Sequence, residues 1–152
     1  MVRQAILALA AATLMASCSS APPPSARALM VDEVEPTAQI FWKSAGAISD
    51  ENGITDLTPT TPEGWKKAED ATAKLVELGE LLKTEDYAQD RGPGWIKFAD
   101  GMIDMSKQSQ KAVADRDSDK MFELGAYLYD VCSGCHQAYP ATEAEAATGI
   151  KE

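Results

Sequence analysis

"SDKMFELGAYLYDVCSGCHQAYP", residues 118–140, decides how the chain folds. Met121, Leu124, Leu128, Val131 and Cys135 recur at three- and four-residue steps, which puts them on one face of an α-helix. The Asp-rich turn "DRDSD" precedes the segment, and Pro140 stops it because proline cannot supply a helical N–H. The face that reads as core thus runs on into a cluster of Cys132, Cys135 and His136, two of the chain's three cysteines and its one histidine.

Upstream the same period returns three times. Over about Arg27 to Ile48 the stripe is Met30, Val34, Ala38, Phe41, Ala45 and Ile48. Pro36 falls inside it, so one helix kinked at the proline is expected. "SDENGITDLTPTT" reads as a connection, after which Thr61 caps a helix with Pro62 in its first position. Trp65, Ala68, Thr72, Leu75, Leu78 and Leu82 form the second stripe, and "DRGPG" breaks it. A third helix over about Trp95 to Ala114 buries Ile96, Ala99, Met102 or Ile103, Ser106 and Val113. No segment has a strand's two-residue alternation, and no repeat is visible. Four amphipathic helices with mostly short links predict an all-α fold, an antiparallel four-helix bundle.

Cys132, Cys135 and His136 stand at i, i+3 and i+4, on one helix face. C-x-x-C-H is the spacing of covalent c-type haem attachment. Two thiols one turn apart can add to the two vinyl groups of one porphyrin, and the next residue's imidazole reaches the iron from the same side. A zinc site needs four Cys/His ligands, and this domain has three. A thioredoxin-like dithiol wants a βαβ setting, and a plain helical disulfide leaves the adjacent histidine without a reason. One covalent haem c, with His136 as proximal ligand, is therefore expected near the end of the fourth helix.

With one histidine, the sixth iron position is left to methionine, water or nothing. In an up-down-up-down bundle the end of helix four lies beside the start of helix one, which brings Met30 to the haem. It also lies near the start of helix three, where Trp95 and Phe98 could pack on a haem face. Met121 stands fifteen residues before His136, about 22 Å away at 1.5 Å per residue, and cannot reach, while Met102 and Met105 lie more than one turn inside helix three and are weaker candidates. Trp42, Trp65, Tyr127, Tyr129 and Tyr139 read as core or haem packing. No Ser–His–Asp or paired-carboxylate constellation stands out, so no catalytic site is expected and the protein is not read as an enzyme.

The opening "MVRQAILALAAATLMASC" joins one positive charge, Arg3, to an apolar run and small residues, which marks residues 1–17 as a secretory signal. "LMASC" resembles the lipobox of bacterial lipoproteins, with Met15 where that pattern usually has Leu; Cys18 would then carry lipid. "SSAPPPSA" completes a stiff tether over 18–26, the haem domain runs over 27–140, and 141–152 is a polar tail. The formal charge is −10, and loss of Arg3 makes the mature chain more acidic. That argues against nucleic acid and against anionic membranes, leaving the lipid as the one membrane contact. Ser19 and Ser20 stand where an Asp often retains lipoproteins at the inner membrane, so the periplasmic face of the outer membrane is preferred.

Taken together, "CSGCH" near the end of a fourth helix, "RALM" near the start of the first and an exported helical chain resemble the cytochrome c′ superfamily, especially its low-spin, methionine-ligated members. The resemblance covers about Arg27 to Pro140. It implies thioethers at Cys132 and Cys135, proximal His136, distal Met30 and work as an electron carrier with a redox partner protein, for which a basic surface would suit the acidic chain. High-spin relatives leave the iron five-coordinate and bind nitric oxide or carbon monoxide, and this is the alternative function. Two departures stand out: Arg27 and Met30 are three residues apart where relatives usually have four, and Pro140 occupies the place of a basic residue usual in high-spin members. A homodimer remains compatible with the sequence.

Overall fold

A computed structural model describes residues 24–141 of the chain, so Cys18, the expected leader and most of the expected tether and tail lie outside the described residues. The described part is mostly helical. In chain order it contains α1 (Ala26–Leu29), a π-helical turn (Met30–Val34), α2 (Glu35–Trp42), β1 (Ala47–Asp50), β2 (Gly53–Asp56), α3 (Pro62–Leu82), α4 (Glu85–Ala88), α5 (Gly92–Ala114) and α6 (Ser118–Ala138). Among the described residues no helix is long and apolar enough to cross a membrane.

Helix starts follow their capping chemistry. The Thr61 hydroxyl accepts the Gly64 N–H at 3.1 Å, and Pro62 follows it. The Asp117 carboxylate accepts the Lys120 N–H at 2.9 Å at the head of α6. Both satisfy donors that a helix cannot satisfy internally. The expected stripes are buried: Ala68, Thr72, Leu75, Leu78 and Leu82 on α3, and Met121, Leu124 and Leu128 on α6. On α5, Met102 and Ile103 are both buried.

The first helical segment departs from expectation in two ways. It stays right-handed helical through Pro36, and the irregularity lies just upstream as the π turn, where the Glu35 N–H reaches back to the Met30 carbonyl. It also ends at Trp42 instead of Ile48. Gly46 takes φ +83°, and a Cβ there would lie 2.7 Å from Cδ2 of Phe122, so a turn and a close crossing replace the last helical turn. Val34, Ala38, Phe41 and Ala45 are buried as the stripe requires, while Ile48 is 51% exposed.

The connection after it is not structureless. β1 and β2 form an antiparallel hairpin pairing Ala47 with Asp56 and Asp50 with Gly53. Its turn uses Gly53 at φ +124° and an Asp50 carboxylate that accepts the Asn52 N–H at 2.8 Å. Every strand residue is exposed, so no half-buried alternation marks it.

The long helices pack antiparallel along the chain. On α3 and α5, Gly79 faces Ile103, the Trp95 indole donates to the Leu82 carbonyl at 2.6 Å, and Lys83 pairs with Asp100 at 2.7 Å. On α5 and α6, Gly101 faces Val131 and Gly134 faces Phe98, while the Tyr139 hydroxyl donates to the Arg91 carbonyl at 3.0 Å. On α2 and α6, the Trp42 indole donates to the Gly125 carbonyl at 2.9 Å. These pairings return the last turn of α6 to the start of α5 and to the segment around Met30.

Candidate cofactor site

The last turns of α6 present Cys132, Cys135 and His136 to a cavity of about 390 Å³. Facing them across it are Met30, Val34, Glu35, Ala38, Gln39 and Trp42; Leu82 of α3 and Trp95, Phe98, Ala99 and Met102 of α5 close it, with Tyr129 and Val131 flanking the thiols. The volume lies in the range of about 300–1,000 Å³ usual for ligand and cofactor sites. The wall is mostly apolar, with Glu35, Gln39 and His136 as polar exceptions, which suits a largely hydrophobic ligand with a few polar contacts.

Aromatic contacts fix the walls. Trp95 meets Tyr139 edge-on at 5.3 Å, and Phe98 meets Tyr139 at 6.3 Å. The Arg91 guanidinium lies 4.4 Å from the Trp95 ring centre, a cation–π contact. Trp42 and Tyr129 meet edge-on at 6.1 Å. This pair also borders a second apolar recess of about 240 Å³, lined by Phe41, Ala45, Met121, Phe122, Gly125 and Ala126, so it partitions the two.

Both cysteines are free thiols and half-buried, whereas His136 is exposed. Burial pushes the Cys132 thiol up to about 11, with Cys135 adding to the shift. Burial also raises the Cys135 thiol, against a smaller opposite pull from Arg91. These thiols stay protonated at neutral pH, unlike the lowered, thiolate-forming cysteines of disulfide oxidoreductases. Among the described residues no group of three or more His, Cys, Asp or Glu side chains is arranged to hold a bare metal ion.

Met30, Trp95, Phe98, Cys132, Cys135 and His136 thus line one cavity, from three separate stretches of chain. Of the other aromatic residues, Trp42 and Tyr129 join them and Tyr139 packs behind. Trp65 and Tyr127 do not: Trp65 lies under Arg116 at 5.6 Å, and Tyr127 is exposed. Val34 and Ala38 were visible only as core positions, and Met102, a weaker candidate for the sixth iron position, also lines the cavity. Glu35 and Gln39 carried no signal, because nothing in their spacing separates them from a solvated helix face.

Comparison of the chain with protein families, curated proteins and solved structures gives no match.

Proposed function

We propose that the protein is a c-type cytochrome, a haem-based electron carrier, built as an antiparallel four-helix bundle with its haem between the first and fourth helices. One observation carries this reading: the C-x-x-C-H cluster lines an apolar cavity of cofactor size whose opposite wall includes a methionine. The donor set fits the group. Cys132 and Cys135 would hold the porphyrin, each S–H adding across a vinyl double bond so that sulfur takes one carbon and hydrogen the other. His136 would be the proximal ligand and Met30 the distal one. Four equatorial donors would come from the porphyrin, so no cluster of protein carboxylates or thiolates is needed.

Haem supplies a reversible one-electron couple when bound. The chain's own residues do the rest. Met30 offers a soft thioether, which favours ferrous iron and raises the potential relative to two histidines. Trp95, Phe98 and Trp42, which are buried or half-buried, would exclude water from the bound group, whereas Tyr129 is 61% exposed. A redox protein is the expected partner, and Cys18 the lipid anchor on the periplasmic face.

The test is the visible spectrum of protein made with a cytochrome c maturation system, beside Met30→Ala. Haem should resist acid extraction. Ferric wild type should be low-spin with a weak red methionine–iron band, and the variant should lose that band and bind carbon monoxide readily. A wild type that is high-spin and binds the gas as fast as the variant would replace the carrier with the gas-binding reading. Fractionation beside Cys18→Ser tests the anchor: the native protein should stay with membranes and the variant should not.

A further inference from the structure

Met30 lies at the first residue of the π turn, six residues ahead of Pro36, and this segment lines the cavity with Met30, Val34, Glu35, Ala38, Gln39 and Trp42, of which Met30, Val34, Ala38 and Trp42 follow one another at four-residue steps. Four-residue spacing alone does not keep those side chains together. Each step of four on an α-helix overshoots a full turn by about 40°, so Met30 and Trp42 would diverge by about 120° in a regular helix. A π turn closes i to i+5 bonds and is wider, so over its length it takes back roughly 70°. That is enough to return Met30 over Val34 and Ala38. Without it, helical geometry puts Val31 between Ala38 and Trp42 on the cavity face, and Met30 turns away. In the folded chain Met30 lines the cavity, whereas Val31 does not and is 51% exposed.

The proline supplies the cause. An α register would aim the ring of Pro36 at the Asp32 carbonyl and leave that carbonyl without its donor. Immediately ahead of the proline the bond runs one residue wider than in an α-helix, from the Glu35 N–H to the Met30 carbonyl. Single π turns inside α-helices recur at functional sites, because they re-aim one side chain while the helix continues.

We propose that Pro36 is a positioning residue: by holding the Met30–Val34 turn in π register it selects Met30, and not Val31, as the side chain presented to the cofactor cavity. This rests on the haem reading only for what Met30 does once there, and the placement itself is measurable without it. In the full-length protein, the Met30 ε-methyl should show nuclear Overhauser contacts to Val34 and Ala38. Pro36→Ala should abolish them, give the Val31 methyls contacts to the cavity wall, remove the red band and speed carbon monoxide binding. Adding Val31→Met to Pro36→Ala should restore the band. With Pro36 kept, Met30→Ala combined with Val31→Met should stay as open to the gas as Met30→Ala alone; this arm does not depend on Pro36→Ala folding. Persistence of the Met30 contacts in Pro36→Ala would overturn the proposal, as would rescue by Val31→Met while Pro36 is present. Loss of the contacts together with a Met30→Ala spectrum identical to wild type would uphold the positioning and remove Met30 as the ligand.

Discussion

The seam between α3 and α5 and the seam between α2 and α6 are both antiparallel helix contacts, yet one is closed and the other is held open. At the closed seam a glycine, Gly79, lets Ile103 approach until a Cβ would sit 2.5 Å from its Cγ1. The Trp95 indole and the Lys83 ammonium tie the same two helices at 2.6 and 2.7 Å. At the open seam large aromatic side chains act as spacers: Trp42 reaches across to Gly125, and recesses of about 390 and 240 Å³ lie on its two sides. Interiors pack at crystal-like density with few voids larger than a water molecule. The larger space reaches Leu82 and Trp95 at one end of the closed seam, is bordered by the two thiols, and is the space the proposed haem would fill.

Leu78→Ala should produce the largest change in stability. Leu78 is 2% exposed on the closed side, and truncation of such a leucine costs about 2–5 kcal/mol, since rigid neighbours cannot collapse into the gap. Urea unfolding measures it, and the visible spectrum should stay as in the native protein because Leu78 does not border the cavity. A loss under about 1 kcal/mol would mean that the α3 side is as loose as the α2 side, and the contrast would fail.

How far the sequence carried this contrast depends on which physics each part obeys. The stripes on α3, α5 and α6 were legible because burial on one helix face writes a 3.6-residue period into the chain. The Cys132, Cys135 and His136 face was legible because it lies within one helical turn. The hairpin was not, because all eight of its strand residues are exposed and only Asn52-Gly53 hinted at it. The end of the first helix was misjudged because Ala45 and Ile48 continue the period past the point where Gly46 turns the chain. Trp42 and Tyr129 could be named as packing residues, but not as the partition between two recesses. That role depends on how far apart two helices stand, which no single-helix pattern encodes.

A paired glycine substitution gives the next smaller effect and the sharpest use of the two regions. Gly79→Ala must push Ile103, which is buried, so an overpacking cost of about 1–3 kcal/mol outweighs the roughly 1 kcal/mol that alanine gains over glycine in a helix. Gly101→Ala meets only Val131 at 3.3 Å, and Val131 borders the larger cavity and can yield. There the helix gain should prevail by up to about 1 kcal/mol. The two variants should thus move the urea midpoint in opposite directions. A shift of the same sign in both would show that Val131 is as firmly held as Ile103.

The smallest expected effect concerns four buried hydroxyls. Ser44 donates to the Ile40 carbonyl at 2.7 Å, Thr72 to Glu69 at 2.9 Å and Ser109 to Met105 at 2.8 Å, each to its own helix. Ser106 is fully buried one turn before Ser109, and among the described residues its Oγ has no partner. A buried hydroxyl without a hydrogen bond forfeits its hydration, which costs about 1–3 kcal/mol. Ser106→Ala removes that cost and adds a better helix former, at the expense of one small void. The variant should gain about 1 kcal/mol and a few degrees in Tm, whereas Ser109→Ala should lose about as much by giving up a made bond. If Ser106→Ala instead lowers Tm, the hydroxyl has a partner in solution, a water or a helix carbonyl. The middle of α5 would then be less tightly sealed than the closed seam beside it.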